Sequence, residues 1–276
     1  AEFAAGAEAP YQIDGQLRLR ALDPAVFAER KAGAFPVQGR FDGDLNFSGR
    51  GQSVEEAIDG VQGELSVSGR EGVLTAFELD QRSQLGLIGA GLLGQHLKRP
   101  GIAAVAQAVP YFENMPFEHF ELELSRGADQ TIQVPKLQFK GASVWIDGSG
   151  FIAATSLQDL TNQPLKLTLE LGAKGKLVDY LETLQLLDTD TGSGGFRRWS
   201  KSVEIGGTLA DPDTSALKRI LNDAARQALS RSEEKDAGSD ATEGEKSSTI
   251  PKRSKEDKLL DDVETGLDLL NTVLGR

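Results

Sequence analysis

The sequence predicts a mainly β fold with flanking helices: an antiparallel sheet with one apolar face, joined by amphipathic helices towards the C-terminus. Three observations predict it. Alternating apolar and polar residues recur through residues 11 to 210, glycine-rich turn clusters punctuate them, and a clear helical periodicity takes over only after the last strand.

The alternation is clean in Ile13–Leu19 (IDGQLRL), Phe41–Phe47 (FDGDLNF), Phe120–Leu124 (FELEL), Ile132–Val134, Leu137–Phe139, Val144–Ile146, Leu165–Leu171 (LKLTLEL) and Val203–Leu209 (VEIGGTL). Successive side chains of a strand point to opposite faces, so each segment predicts a sheet that is dry on one side and wet on the other. One-sided sheets of this kind are antiparallel. In residues 59–80, Leu65 and Val67 alternate with Glu64, Ser66 and Ser68, yet glycines interrupt at Gly60, Gly63, Gly69 and Gly72. The clusters SGRGQS at 48–53, SGREG at 68–72, SRGADQ at 125–130 and DGSG at 147–150 read as turns between strands.

Two helical passages are expected within this β-rich region. Ser53 followed by Glu56 has capping-box spacing and predicts a short helix over 53–59, ended by Gly60. A longer apolar stretch over 84–112 is interrupted at Pro100-Gly101 and again at Pro110. A closing helix over 213–230 opens with Asp211 or Asp213 as N-cap and sets Leu217, Ile220, Leu221, Ala224, Ala228 and Leu229 on one face. These elements define a β-rich module over residues 11–231. Residues 232–256 carry many charges and only Ile250 as a sizeable apolar side chain, which predicts a disordered acidic and polar linker. Residues 257–276 predict a terminal amphipathic helix striped by Leu260, Val263, Leu267, Leu270 and Leu274, a candidate partner-binding face. Its polar side bears Asp257, Asp261, Asp262, Glu264 and Asp268, which argues against docking on a membrane surface.

Composition narrows the function. The chain has 276 residues, and its 42 acidic against 30 basic residues give a formal charge of -12. Nucleic acid is disfavoured, because a phosphate backbone is bound by Lys and Arg that replace its counterions. There is no cysteine, which excludes disulfides and thiol chemistry and suits an oxidising compartment. The chain opens with AEFAAGAEAP, which predicts a mature chain or a piece of a longer one, with any membrane anchor outside it.

Chemistry-bearing motifs are scarce. His96 and His119 are the only histidines, and structural roles are expected for both. Gly89-Ala90-Gly91-Leu92-Leu93-Gly94 satisfies a dinucleotide-type GxGxxG, but Pro100 follows and the surrounding strands read antiparallel, so close packing through Gly86, Ala90 and Gly94 is expected instead. DTDTGSGG at 188–195 has acidic spacing like a calcium loop, but Gly192 and Trp199 stand where further oxygen ligands belong. Trp145 and Trp199 read as packing or interface residues. No enzymatic activity, cofactor or metal is therefore expected.

A succession of motifs carries a family resemblance. Gly63, Leu65, Val67 and Gly72 open it, Gly148, Gly150, Phe151 and Ile152 follow a run of strands, and Gly207, Thr208, Leu209 and Pro212 close it. Over about residues 37–213 this order resembles the C-terminal region of AsmA-like proteins. The resemblance implies a curved antiparallel sheet forming an apolar groove in a protein of the bacterial cell envelope, exposed to the periplasm and tethered to the inner membrane. It further implies a non-enzymatic role in moving phospholipid between inner and outer membranes and in outer-membrane biogenesis, with phospholipid or another acyl lipid and other envelope proteins as partners. The N-terminal anchor the family carries is expected outside this sequence, and the segment after residue 231 is not part of the shared pattern. Candidate lipid-lining residues are Leu45, Phe47, Leu65, Val67, Phe120, Leu122, Leu124, Leu167 and Leu169.

Overall fold

The computed structural model describes residues 2–3, 10–24, 37–75, 88, 91–92, 94–96, 99–154 and 162–239. The predicted terminal helix over 257–276, with its leucine stripe, lies outside the described residues. The chain divides into two units. The first comprises Ala1–Ala76, Asn114–Lys174 and Asp190–Ala216; the second comprises Phe77–Glu113, Gly175–Thr189 and Leu217–Arg276.

The first unit is built on an open antiparallel sheet. Its long strands are β2 (Tyr11–Leu22), β3 (Val37–Gly51), β4 (Gln62–Leu74), β5 (Met115–Arg126), β6 (Ile132–Gly141), β7 (Val144–Ile152) and β8 (Leu165–Ala173). Each pairs with the next in sequence, so the middle of the sheet is a plain meander. Short strands complete it: β1 (Glu2–Phe3) pairs with β2, and β10 (Arg197–Trp199) and β11 (Val203–Gly207) both pair with β8. β9 (Leu187–Thr191) follows β10 in the strand order, and β12 (Pro212–Asp213) pairs with β11. β9 and the helical turn Ser193–Gly195 occupy the segment whose acidic spacing is like a calcium loop.

Two of the predicted turns are strand interior. SGREG at 68–72 lies within β4, and DGSG at 147–150 lies within β7. The reason is cross-strand packing. Gly69 pairs with Phe41 on one side and Phe120 on the other, and a Cβ at Gly69 would stand 2.4 Å from the Phe41 ring. Gly148 likewise lies between Leu137 and Leu169. Large side chains thus lean over glycines on the next strand, and the gaps that suggest turns are sockets. SRGADQ does turn the chain between β5 and β6, through a Gln130 N–H to Gly127 carbonyl bond of 3.1 Å.

Bulges correct the face assignment where alternation fails. In β5 the register shifts between Phe117 and His119, so Phe117 and Phe120 both reach the apolar side despite their spacing of three. There they join Phe41 and Phe139, with ring centroids 5.6 to 5.9 Å apart. Ile132–Val134 and Leu137–Phe139, predicted as separate strands, form the single strand β6, whose register shifts between Val134 and Leu137 around Pro135. Between Gln38 and Arg40 the register shift is made by Gly39 at φ +133°, a conformation side chains strain to adopt.

Ser53 caps the start of the short helix α1 (Val54–Asp59), as its spacing to Glu56 predicts, and Glu56 reaches back to Gln52 instead of to the cap residue. Ser53 Oγ accepts from the Glu56 N–H at 3.1 Å, and the Glu56 carboxylate reaches back to the Gln52 N–H at 2.7 Å.

The second unit is helical. α2 (Pro100–Ala108) begins at the predicted break, with Pro100 in the first turn, where its missing N–H costs nothing. α3 (Pro110–Glu113) begins at the second proline, and α4 (Lys176–Thr183) is a helix that the sequence reading does not anticipate. Ile102, Val105, Val109, Phe112, Leu177, Leu181 and Leu184 are buried. A Cβ at Gly94 would stand 2.7 Å from the Ala103 backbone nitrogen, the close approach expected of Gly94; Gly86 and Ala90 lie outside the described residues.

The closing helix α5 (Ser215–Ser239) has its first-turn Ser215 N–H held by the Asp213 carboxylate at 2.9 Å, and Leu217, Leu221, Ala224 and Ala225 are buried. It continues past residue 231 into the segment read from composition as linker. Glu233, Glu234, Lys235 and Ala237 are good helix formers, and extending an existing helix incurs no nucleation cost.

Candidate apolar binding site

Strand register builds the candidate site. β2, β3, β4 and β5 align Leu17, Leu45, Leu65 and Leu124 in one transverse row on the apolar side. The next row runs Leu19, Gly43, Val67, Leu122 and Leu137, and continues through Gly148 to Leu169 and Val203. A third row places Phe47 between Gly15 and Gly63, and the Phe47 ring lies where a Gly15 side chain would be, 2.6 Å from its Cβ position. Leu167 sits between Gly150 and Ile205 further along the sheet.

All nine candidate residues lie on this side, and all nine are half-buried. That contrasts with the phenylalanine end of the same strands, where Phe41, Phe117 and Phe139 are buried, as are Ile146 and Leu171. The apolar side is thus enclosed at the phenylalanine end, while at the opposite end it is partly accessible at Leu45, Phe47 and Leu65 and closed again at Arg126, Ile132, Ile152 and Leu165.

At the accessible end lies a pocket of about 510 Å³. Leu45, Phe47, Leu65 and Leu124 of the candidate set line it, together with Ile13, Ile58, Val61, Gly63, Arg126 and Ile132. Its size falls within the roughly 300–1,000 Å³ of small-molecule sites. Val67, Phe120, Leu122, Leu167 and Leu169 do not line it. Leu167 and Leu124 are nonetheless linked through a buried cluster of Ile132, Ile152 and Leu165, against which both pack.

Ile58, Val61 and Arg126 escape the sequence reading because they belong to a helix, a loop and a charged strand end rather than to an alternating run. Arg126 is 8% exposed. Its guanidinium donates to the Val61 carbonyl, burial lowers its pKa, and the nearby Asp59 charge opposes that shift.

The opposite side of the sheet is polar and carries ion pairs. Lys136 bridges Glu121 and, at 3.7 Å, Glu123, while His119 Nε2 lies 3.0 Å from Glu121. His119 therefore occupies the polar-face position expected of it. Trp145 lies beneath the Arg198 guanidinium, 5.8 Å from its ring centroid, and Trp199 is buried, so both tryptophans take packing positions. Among the described residues no cluster of three His, Cys, Asp or Glu side chains could hold a metal, and no helix is long and apolar enough to cross a membrane.

No protein-family model, curated protein or solved structure matches the chain.

Proposed function

We propose that the chain is a non-enzymatic envelope module whose half-buried apolar sheet face receives the acyl chains of phospholipid or a similar lipid during transport between inner and outer membranes. In this reading it works in the periplasm, tethered to the inner membrane in a longer protein, with other envelope proteins as neighbours. The observation that carries the proposal is the exposure of the nine candidate residues. A sheet face that were only core would enclose them, and none is enclosed. The order of motifs resembling AsmA-like proteins supports the same reading.

The energetics favour such a surface. At about 0.8 kcal/mol per methylene, a chain of roughly 15 methylenes costs about 12 kcal/mol to hold in water. Leucines that are already half-dry remove much of that cost without a large rearrangement.

Mass spectrometry of the purified chain under native conditions should find co-purifying phospholipid, and Leu122→Asp should reduce it severalfold while circular dichroism stays unchanged. A lipid-free wild type together with an unfolded Leu122→Asp would identify the face as ordinary core and end the proposal.

A further inference from the structure

The pocket of about 510 Å³ has an end, a floor and a side wall. Its end is α1. Gly49 and Gly51 share the apolar side of β3 with Leu45 and Phe47, and a Cβ at either would collide with the Ala57 backbone, so these two glycines seat the helix directly on the sheet. That brings Ile58 and, just past the helix, Val61 into the lining. The floor is Gly63. The Phe47 ring leans the other way, over Gly15, and the atoms nearest a Cβ at Gly63 belong to the Asn46 and Phe47 backbone. The side wall is Ile132, behind which Ile152 and Leu165 are packed and buried. The Arg126 guanidinium donates to the Val61 carbonyl, and the lining is almost wholly apolar. Size then limits the occupant. A cavity of about 150 Å³ takes benzene, roughly 25 Å³ per carbon, so this pocket takes roughly 20 carbons at most. One acyl chain fits within that limit, and two chains of roughly 15 methylenes each exceed it.

We infer that this pocket is a socket for the methyl end of a single unbranched acyl chain, closed by α1 and indifferent to the head group, which stays in water. The inference rests on the proposed lipid-receiving role of the sheet face and adds to it a stopping point and a count of one. The second chain of a diacyl lipid lies outside the socket, along the half-buried Val67 and Leu122 of the row next to Leu65 and Leu124.

Displacement of an apolar fluorescent dye from the full chain, with salt screening its formal charge of -12, reads the affinities. Dodecanoate, dodecyl phosphate and dodecanol should bind within about threefold of one another, and native mass spectrometry should find one per chain. Tetradecanoate, two methylenes longer, should bind about tenfold more tightly than dodecanoate. Leu65→Trp, which fills the socket, should weaken all of them about tenfold or more. Ile58→Asp should do the same from an exposed position on α1, so the test survives if Leu65→Trp does not fold. A tenfold preference for the anions, or two ligands bound per chain, would overturn the socket. If the ligands bind and Ile58→Asp leaves them unmoved, hydrocarbon rests elsewhere on the sheet: the socket falls and the lipid-receiving role stands. If none binds, both fall.

Discussion

Individual glycines carry more of the fold than their size suggests, and geometry ranks them. A Cβ at Gly150 would stand 2.0 Å from the Lys166 carbonyl oxygen, a backbone atom that cannot move without breaking the β7–β8 ladder. At Gly148 the nearest atom is Leu169 Cδ2 at 2.5 Å, the end of a side chain that can turn away. Gly150→Ala should therefore lower stability by about 1–3 kcal/mol and Gly148→Ala by clearly less, as measured by thermal melts of the two variants side by side. A sequence reader sees the same letter at both positions. What separates them is the neighbouring strand, which only the register supplies.

The ion pairs of the polar side give a pH dependence with a definite sign. The hydrogen bond from Lys136 is the main reason the Glu121 carboxyl titrates below its ordinary range, and the bond to Glu121 is the main reason Lys136 titrates above its own. Glu121 thus contributes stability above its ordinary pKa, lost as the pH falls through its lowered one. Lys136 contributes below its ordinary pKa, and that part is lost as the pH rises through its raised one. Because both side chains are partly exposed, the pair is worth under about 1 kcal/mol. Melting temperatures of the wild type and Lys136→Met should differ slightly at neutral pH and converge in strong acid.

At the scale of elements, local signals written in contiguous residues were readable and signals that depend on a partner strand were not. The Ser53 to Glu56 spacing specified α1: Ser53 Oγ caps the Glu56 N–H, and the Glu56 carboxylate reaches back one residue beyond the cap, to the Gln52 N–H. Ser53→Ala should cost about 1 kcal/mol of stability, and Ser53→Asp should restore most of it, as read from denaturant midpoints. Pro100 and Pro110 mark helix starts in α2 and α3. The bulges at Glu118 and Pro135, by contrast, let apolar residues off the two-residue period share a face, which strict alternation cannot reveal. Helix α4 went unread because KLVDYLET is short and half polar, and its amphipathic pattern spans barely two turns.

At the scale of the whole chain, composition and alternation made the one-sided antiparallel sheet legible, together with which residues face its apolar side. All nine candidates lie there. Which of them meet in one pocket was not legible, because strand order and register decide that, and Leu45, Phe47, Leu65 and Leu124 come together while Leu122 and Leu169 stay apart. Arg126 was equally hidden: in the sequence it belongs to a turn cluster, and only pairing with Gly63 turns it into a pocket wall.

The leucine row that begins at Leu17 has a consequence for handling the protein. Leu17 is 47% exposed on β2, so the oily row meets water there. Such a border is adhesive, and the formal charge of -12 is what opposes clumping between molecules. Screening that repulsion with salt, or titrating it away in mild acid, removes the colloidal protection while leaving the sticky margin in place.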